Sequence, residues 1–311
     1  MHRLFETLRP YAARLGRAVG RLIYPPHCLV CSRPTDEDED RYLCRECIGR
    51  VHVVQDPTCP RCGHEVGSHV DPTQRCIGCR NVPLRFDRAV AAAHHAGAAR
   101  ELVLALKYAR QRANVYPLSK LLTARLRGTD LPEKVQIIVP VPLHRSRRRS
   151  RGFDQAALLA EQLGGELGLP VVAGNLRRRV NTPPQTQTMS LAARRANVKG
   201  AFRVRRPGAF AGKSVLLVDD VLTTGATTSE CAGTLKRAGA KRVYVATATR
   251  RMTVPPGSDE TAALSRYEVE SLEAPADLSQ PEEPPELAPS ARGGVPRSPR
   301  KAGAPADGAP V

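Results

Sequence analysis

The stretch SVLLVDDVLTTGAT, residues 214–227, decides the fold. Four consecutive apolar residues, Val215 to Val218, read as a strand buried on both faces, and such strands belong to parallel sheets covered by helices. Two acids, Asp219 and Asp220, end the run, and Thr223, Thr224, Gly225, Ala226 and Thr227 then open a helix. A helix start rich in hydroxyls and backbone N–H groups favours a dianionic phosphate. Gly225 lets the backbone wrap that phosphate without a Cβ in the way. The two carboxylates, one phosphoribosyl length away, can accept hydrogen bonds from vicinal ribose hydroxyls. Ligands of open α/β sheets sit at such carboxyl strand ends, so the residues point to a phosphorylated sugar.

The flanking sequence extends this pattern. Arg88–His94, Gln136–Pro140 and Arg242–Ala248 read as further strands, and Ala98–Arg110, Gln155–Gly164 and Thr227–Ala238 carry apolar residues at helical spacing. Buried strands alternating with helices define an α/β parallel sheet with helices on both faces. Other phosphate motifs do not fit. Gly208 to Gly212-Lys213-Ser214 is one residue short of a Walker loop and precedes a strand, and no GxGxxG follows a strand.

Upstream, eight of the nine cysteines fall into four CxxC pairs: Cys28/Cys31, Cys44/Cys47, Cys59/Cys62 and Cys76/Cys79. Two CxxC turns close one tetrahedral Zn²⁺ site, so eight thiolates make about two structural sites. Such metals supply folding energy that a short segment lacks. Sequential and interleaved pairing both fit the spacing. Gly63, in Cys59-Pro-Arg-Cys62-Gly63, permits backbone N–H groups to approach the sulfurs. No signal peptide precedes the pairs, which argues against a disulfide framework. Cys231 falls inside a predicted helix as a packed thiol.

The organisation expected is an amphipathic N-terminal helix over 1–24, a zinc-binding module over 25–83, the α/β domain over 84–250 and a disordered tail over 251–311. The tail holds 11 of the 27 prolines and a net charge of −4, which leaves residues 1–250 at +22. So basic a region attracts polyanions or small phosphorylated ligands. With 12 aromatic residues and no Trp, nucleic-acid affinity would rest mainly on phosphate contacts. No apolar run reaches 18 residues, which excludes a spanning helix, and a cytoplasmic location is expected.

Residues 214–227 resemble the phosphoribosyl-pyrophosphate (PRPP) motif of type I phosphoribosyltransferases: four apolar residues, two acids, then T-T-G-x-T. Further stretches narrow the resemblance to the ComF family: LIYPPHCLVC at 22–31, LVLALKYARQ at 102–111, IVPVPLHRSRRRSRGFDQA at 138–156 and NTPPQTQTMSLAARRANVKGAF at 181–202. That resemblance covers residues 22–249 and implies a type I phosphoribosyltransferase-like sheet preceded by a zinc-ribbon module. It implies a pyrophosphate loop at Pro140–Arg145, with Leu143, His144 and Arg145 offering backbone N–H groups to the β-phosphate and Mg²⁺. Residues 178–199 correspond to the loop that closes over PRPP, with Thr182, Pro184, Gln185, Arg194 and Asn197 matching its polar pattern. Asp219 and Asp220 take the catalytic role, transferring phosphoribosyl to an acceptor that the sequence does not mark. The family's other association is DNA uptake in competence, which implies single-stranded DNA and a DNA-uptake helicase as partners. Arg147, Arg148, Arg149 and Arg151, with Arg145, would then form a cationic rim for a diphosphate or a nucleic-acid backbone.

Overall fold

The computed structural model describes residues 26–35, 40–67, 71, 74–181 and 191–251. The expected N-terminal helix, the tail beyond Arg251 and the loop positions Thr182, Pro184 and Gln185 lie outside the described residues. In chain order the elements are α1 (Arg45–Gly49), β1 (Arg88–His94), α2 (Gly97–Lys107), α3 (Val115–Arg127), α4 (Leu131–Lys134), β2 (Ile137–Pro140), α5 (Arg145–Arg151), α6 (Gln155–Leu167), β3 (Leu176–Arg178), α7 (Leu191–Val198), β4 (Phe202–Val204), β5 (Ser214–Leu222), α8 (Ala226–Arg237) and β6 (Arg242–Arg250). Strands β1, β6, β5 and β2 form a parallel sheet in that order, while β3 and β4 form a separate antiparallel pair. Val215 pairs with Ile137 on one side and Val243 on the other, so the apolar run lies in the sheet centre.

Strand alternation divides the core into two layers. Val215 and Leu217 join Ile137, Val139, Val243 and Val245 under Ala232 and Leu235 of α8 and Phe202 of β4. Leu216 and Val218 join Ile138, Val90 and Ala246 under Leu102 and Leu106 of α2, Leu122 of α3 and Leu159 of α6. The sheet is thus apolar on both faces, as its unbroken hydrophobic strands require.

Each cysteine quartet belongs to one of these layers. Cys59, Cys62, Cys76 and Cys79 pack in the α8 layer, and Cys28, Cys44 and Cys47 in the layer of α2 and α3. The intervening chain covers the outer edge of β1: the N–H of Val54 donates to Ala92 O at 3.0 Å, and that of His94 to His52 O at 2.8 Å. At the opposite edge the N–H of Ile138 donates to Pro170 O at 2.9 Å. Neither edge of the sheet is left as an open template.

Two boundaries differ from the sequence reading in ways that matter. Strand β5 runs on through both acids to Leu222, because Val221 and Leu222 still pair with Thr249 and Arg250 of β6. Residues 145–151, read as loop and rim, form helix α5. The His144 side chain caps it by accepting from the N–H of Ser146 at 3.3 Å, and Gly152 closes it in the left-handed region.

Candidate functional site

Because the four strands are parallel, their carboxyl ends share one edge of the sheet. The acid pair lies near the end of β5, and the Thr223–Thr227 loop, the Leu143–Arg145 segment and the start of α2 follow such ends. Asp219 and Asp220, being consecutive in a strand, point to opposite faces. Asp220 is buried, and its Oδ1 lies 2.9 Å from Lys107 Nζ at the end of α2. Asp219 is half-buried on the α8 side, where Arg178 and Cys231 sense its charge. Burial, and after it the charge of Asp220, push the Asp219 carboxyl up to about 8, and Lys107 works against that shift.

The third carboxylate of the cluster is Asp154. Its Oδ1 caps α6 by accepting from the N–H of Ala157 at 3.3 Å, and its Oδ2 accepts from the N–H of Leu143 at 3.3 Å. Burial raises the carboxyl above its ordinary range. The expected offering of the Leu143 N–H to a diphosphate is therefore modified, because Asp154 folds back over the loop and takes that donor. The side chain of His144 is occupied as the α5 cap, with Nδ1 also 2.8 Å from Ser146 Oγ. Near the acids, His95 Nδ1 lies 3.0 Å from Thr249 Oγ1, and Thr249 Oγ1 donates to Asp220 O at 3.3 Å. Burial, then the nearby Lys107 charge, push His95 down to about 4, so it is neutral at pH 7.

In the Thr223–Thr227 segment the N–H of Ala226 donates to Thr224 Oγ1 at 3.4 Å, and Thr228 Oγ1 donates to Gly225 O at 3.1 Å. The first-turn N–H groups of α8 have no intrahelical acceptor, which is the property an anion uses. Gly225 has φ +73°, and a Cβ there would meet Leu84 Cδ2 at 3.2 Å and Phe86 Cε1 at 3.5 Å. The left-handed turn and the packing on Leu84 and Phe86 both favour glycine here.

The arginines of α5 separate by helical angle. Arg145, Arg148 and Arg149, with Gly152, line an open depression of about 410 Å³ on the outer face. Arg147 and Arg151 turn to the other face, where the Arg151 guanidinium lies 5.5 Å from the centroid of the Tyr108 ring. A single five-arginine rim is not what the helix presents. Arg194 and Asn197 lie on α7, whose residues pack beside α8.

The cysteine sulfurs converge in two quartets, Cys28/Cys31/Cys44/Cys47 and Cys59/Cys62/Cys76/Cys79, each with all ligand atoms within 4.8 Å of one another. This is the sequential pairing. Sulfur pairs Cys31–Cys44, Cys59–Cys79 and Cys62–Cys76 stand 3.6 Å apart. A tetrahedral Zn²⁺ with Zn–S near 2.3 Å puts sulfurs about 3.8 Å apart, so the donor sets fit structural zinc. The N–H of Gly63 donates to Cys59 O at 2.9 Å rather than to a sulfur. At φ +68°, Gly63 lies against β1, where a Cβ would meet Ala89 O at 2.4 Å. The buried Arg250 guanidinium bonds Cys62 O and tethers the second quartet to the end of β6.

Lys107, Asp154 and His95 were not singled out by sequence. Lys107 ends an apolar helix directly after a buried leucine, and Asp154 precedes an amphipathic helix as its cap. Both patterns are commonplace, and only the fold brings them to Asp220.

This combination, a double zinc-binding segment on a phosphoribosyltransferase-type sheet, has counterparts among known proteins. Residues 19–80 match the double zinc ribbon domain and residues 122–263 the phosphoribosyl transferase domain. Competence protein F of Haemophilus influenzae is 30% identical over 66% of this chain and 95% of the relative. DNA utilization protein YhgH of Escherichia coli strain K12 is 33% identical over 70% of this chain and 87% of the relative. Competence protein ComFC of Bacillus subtilis is 26% identical over 68% and 88%. The chain belongs to the ComF family, which these competence and DNA-utilization proteins represent. Among the described residues, no helix is long and apolar enough to cross a membrane.

Proposed function

We propose that the chain binds PRPP, or another ribose 5-phosphate group, together with Mg²⁺ at the carboxyl edge of the sheet. The observation that carries this reading is the run of β5 through Asp219 and Asp220 directly into the Thr223–Thr227 helix start. The loop and the first turn of α8 hold the 5′-phosphate, and the acid pair accepts the ribose hydroxyls. The charge of Asp220, which pairs with Lys107, helps to raise both the Asp154 and the Asp219 carboxyl, so a ligand delivered with a divalent cation would relieve the repulsion within this cluster. Mg²⁺ when bound neutralises the diphosphate and favours its departure. In a transfer step the C1–O bond breaks and diphosphate leaves with the bonding pair. An acceptor lone pair forms the new bond at C1, and the acceptor's proton passes to solvent. The acids stabilise the positive charge that develops on the ribose. Pyrophosphate release, measured with PRPP and a panel of nucleobases and amines, tests the chemistry; release with no acceptor of the panel would leave binding without transfer.

A second reading is single-stranded DNA handling. The outer face of α5, where Arg145, Arg148 and Arg149 surround a depression, favours it, as do the DNA-utilization names of relatives. A net +22 over residues 1–250 supplies the long-range attraction.

A further inference from the structure

We propose that Tyr108 is a stacking platform for a base of single-stranded nucleic acid; this rests on the second reading above. Among the described residues, two aromatic side chains are strongly exposed, Tyr108 at 60% and Tyr116 at 41%. Tyr116 is stacked on Tyr42 with ring centroids 5.2 Å apart. Tyr108 has no ring partner among the described residues; the Arg151 guanidinium lies against it, and Arg147 is close enough to sense it.

Its setting is built. Helix α2 ends at Lys107, whose side chain turns inward to Asp220, and the next residue turns outward. Arg110 takes a left-handed φ of +54°, reversing the chain, and its Nη2 donates to Ser150 O at 2.7 Å. That bond ties the turn to α5. Arg151 Nη1 donates to Gln155 Oε1 at 3.2 Å, which fixes the guanidinium that packs on Tyr108. Arg112 repeats the arrangement on Phe153, at 5.6 Å from the ring centroid.

An aromatic ring beside arginines is the means by which single strands are gripped: each base has a π-face, and guanidinium planes hold phosphate or stack in turn. A duplex keeps its base faces stacked internally, so the partner is a single strand. Tyr108 also stands one residue from the lysine that holds the acid pair, which joins the basic surface to the sugar-phosphate edge. The scarcity of aromatics is thereby offset by the placement of one.

The chain has no Trp, so Tyr108→Trp introduces a single indole reporter. The probes are a 12-residue oligothymidylate and an abasic strand with the same phosphates. The oligothymidylate should quench the indole emission saturably, while the abasic strand binds at low salt without quenching. Tyr108→Ala should weaken oligothymidylate binding roughly fivefold to a hundredfold, leave its salt slope unchanged and leave abasic binding unaffected. Anisotropy that shows oligothymidylate bound, with no quenching and no loss in Tyr108→Ala, overturns the stacking role alone. Binding of neither strand at low salt overturns the nucleic-acid reading and the platform together. Quenching by thymidine monophosphate as tightly as by the 12-mer would reassign Tyr108 to a small ligand.

Discussion

Lys107 Nζ lies 2.9 Å from Asp220 Oδ1, joining the end of α2 to the acid pair of β5. Both side chains are largely buried, 18% and 10% exposed, so neither charge is compensated by water if the other is removed. Lys107→Met should destabilise the protein by about 3 kcal/mol at neutral pH, within the range for breaking a buried pair. The Lys107 charge works against the raised Asp219 carboxyl, so without the lysine Asp219 holds its proton more readily in the folded state. The loss should therefore shrink toward pH 5 and grow toward pH 8. Urea denaturation at the two pH values measures this, and Lys107→Arg should recover most of the stability. Equal losses at both pH values would mean that Lys107 contributes packing only.

Asp219 gives a second pH signature. Its carboxyl, ordinarily near 3.8, is pushed up to about 8 in the folded protein. Below about pH 4 both states hold the proton. As pH rises toward 8 the unfolded chain ionises while the folded one resists, so this group lowers stability with rising pH. Asp219→Asn should match wild type near pH 4 and exceed it by on the order of a few kcal/mol near pH 8. His95, pushed down to about 4, acts in the opposite sense but equally in both proteins. A variant less stable than wild type at pH 8 would contradict the assignment. A carboxylate that costs stability and is kept at a strand end is what a ligand site requires.

Much of this fold is legible in the sequence. The unbroken apolar runs of β1, β2, β5 and β6 gave the parallel sheet because a strand buried on both faces admits little else. The T-T-G-x-T pattern located the start of α8 at the end of β5. Periodicity did not yield α5, since seven residues with five arginines carry no apolar stripe. The sequence reading assigned nothing to 115–127, although α3 buries Leu118, Leu122 and Leu126 there. Pro117 sits in its first turn, where no N–H is needed. The partners of Asp220 were hidden for another reason. Lys107 and Asp154 are distant in sequence from the motif, and long-range contacts leave no local signal.

The zinc quartets belong to the two core layers, so the metal should support the whole fold. Stripping zinc with a chelator at neutral pH should lower the midpoint of a single cooperative transition monitored by circular dichroism. A separate early transition with an unchanged main one would show that the cysteine module melts alone, despite the Arg250 tether to Cys62.

The division of α5 is testable through salt. Each phosphate neutralised on a single strand contributes a slope of about 0.7 in log K against log[salt]. Replacing Arg145, Arg148 and Arg149 with Ala should flatten the slope by about two units. Replacing Arg147 and Arg151, which face inward, should change it less while weakening stacking at Tyr108. Fluorescence anisotropy across a salt series distinguishes them, and equal slopes in both variants would remove the outer face as the backbone contact.

The most direct measurement is calorimetric titration of PRPP with Mg²⁺ into wild type and into the Asp219→Asn, Asp220→Asn double variant. Saturable one-site binding is predicted for wild type, weakened at least about tenfold in the double variant while circular dichroism shows it folded. Wild-type affinity in the double variant, or no binding heat in wild type at any Mg²⁺ concentration, would contradict a ribose-phosphate site at the end of β5.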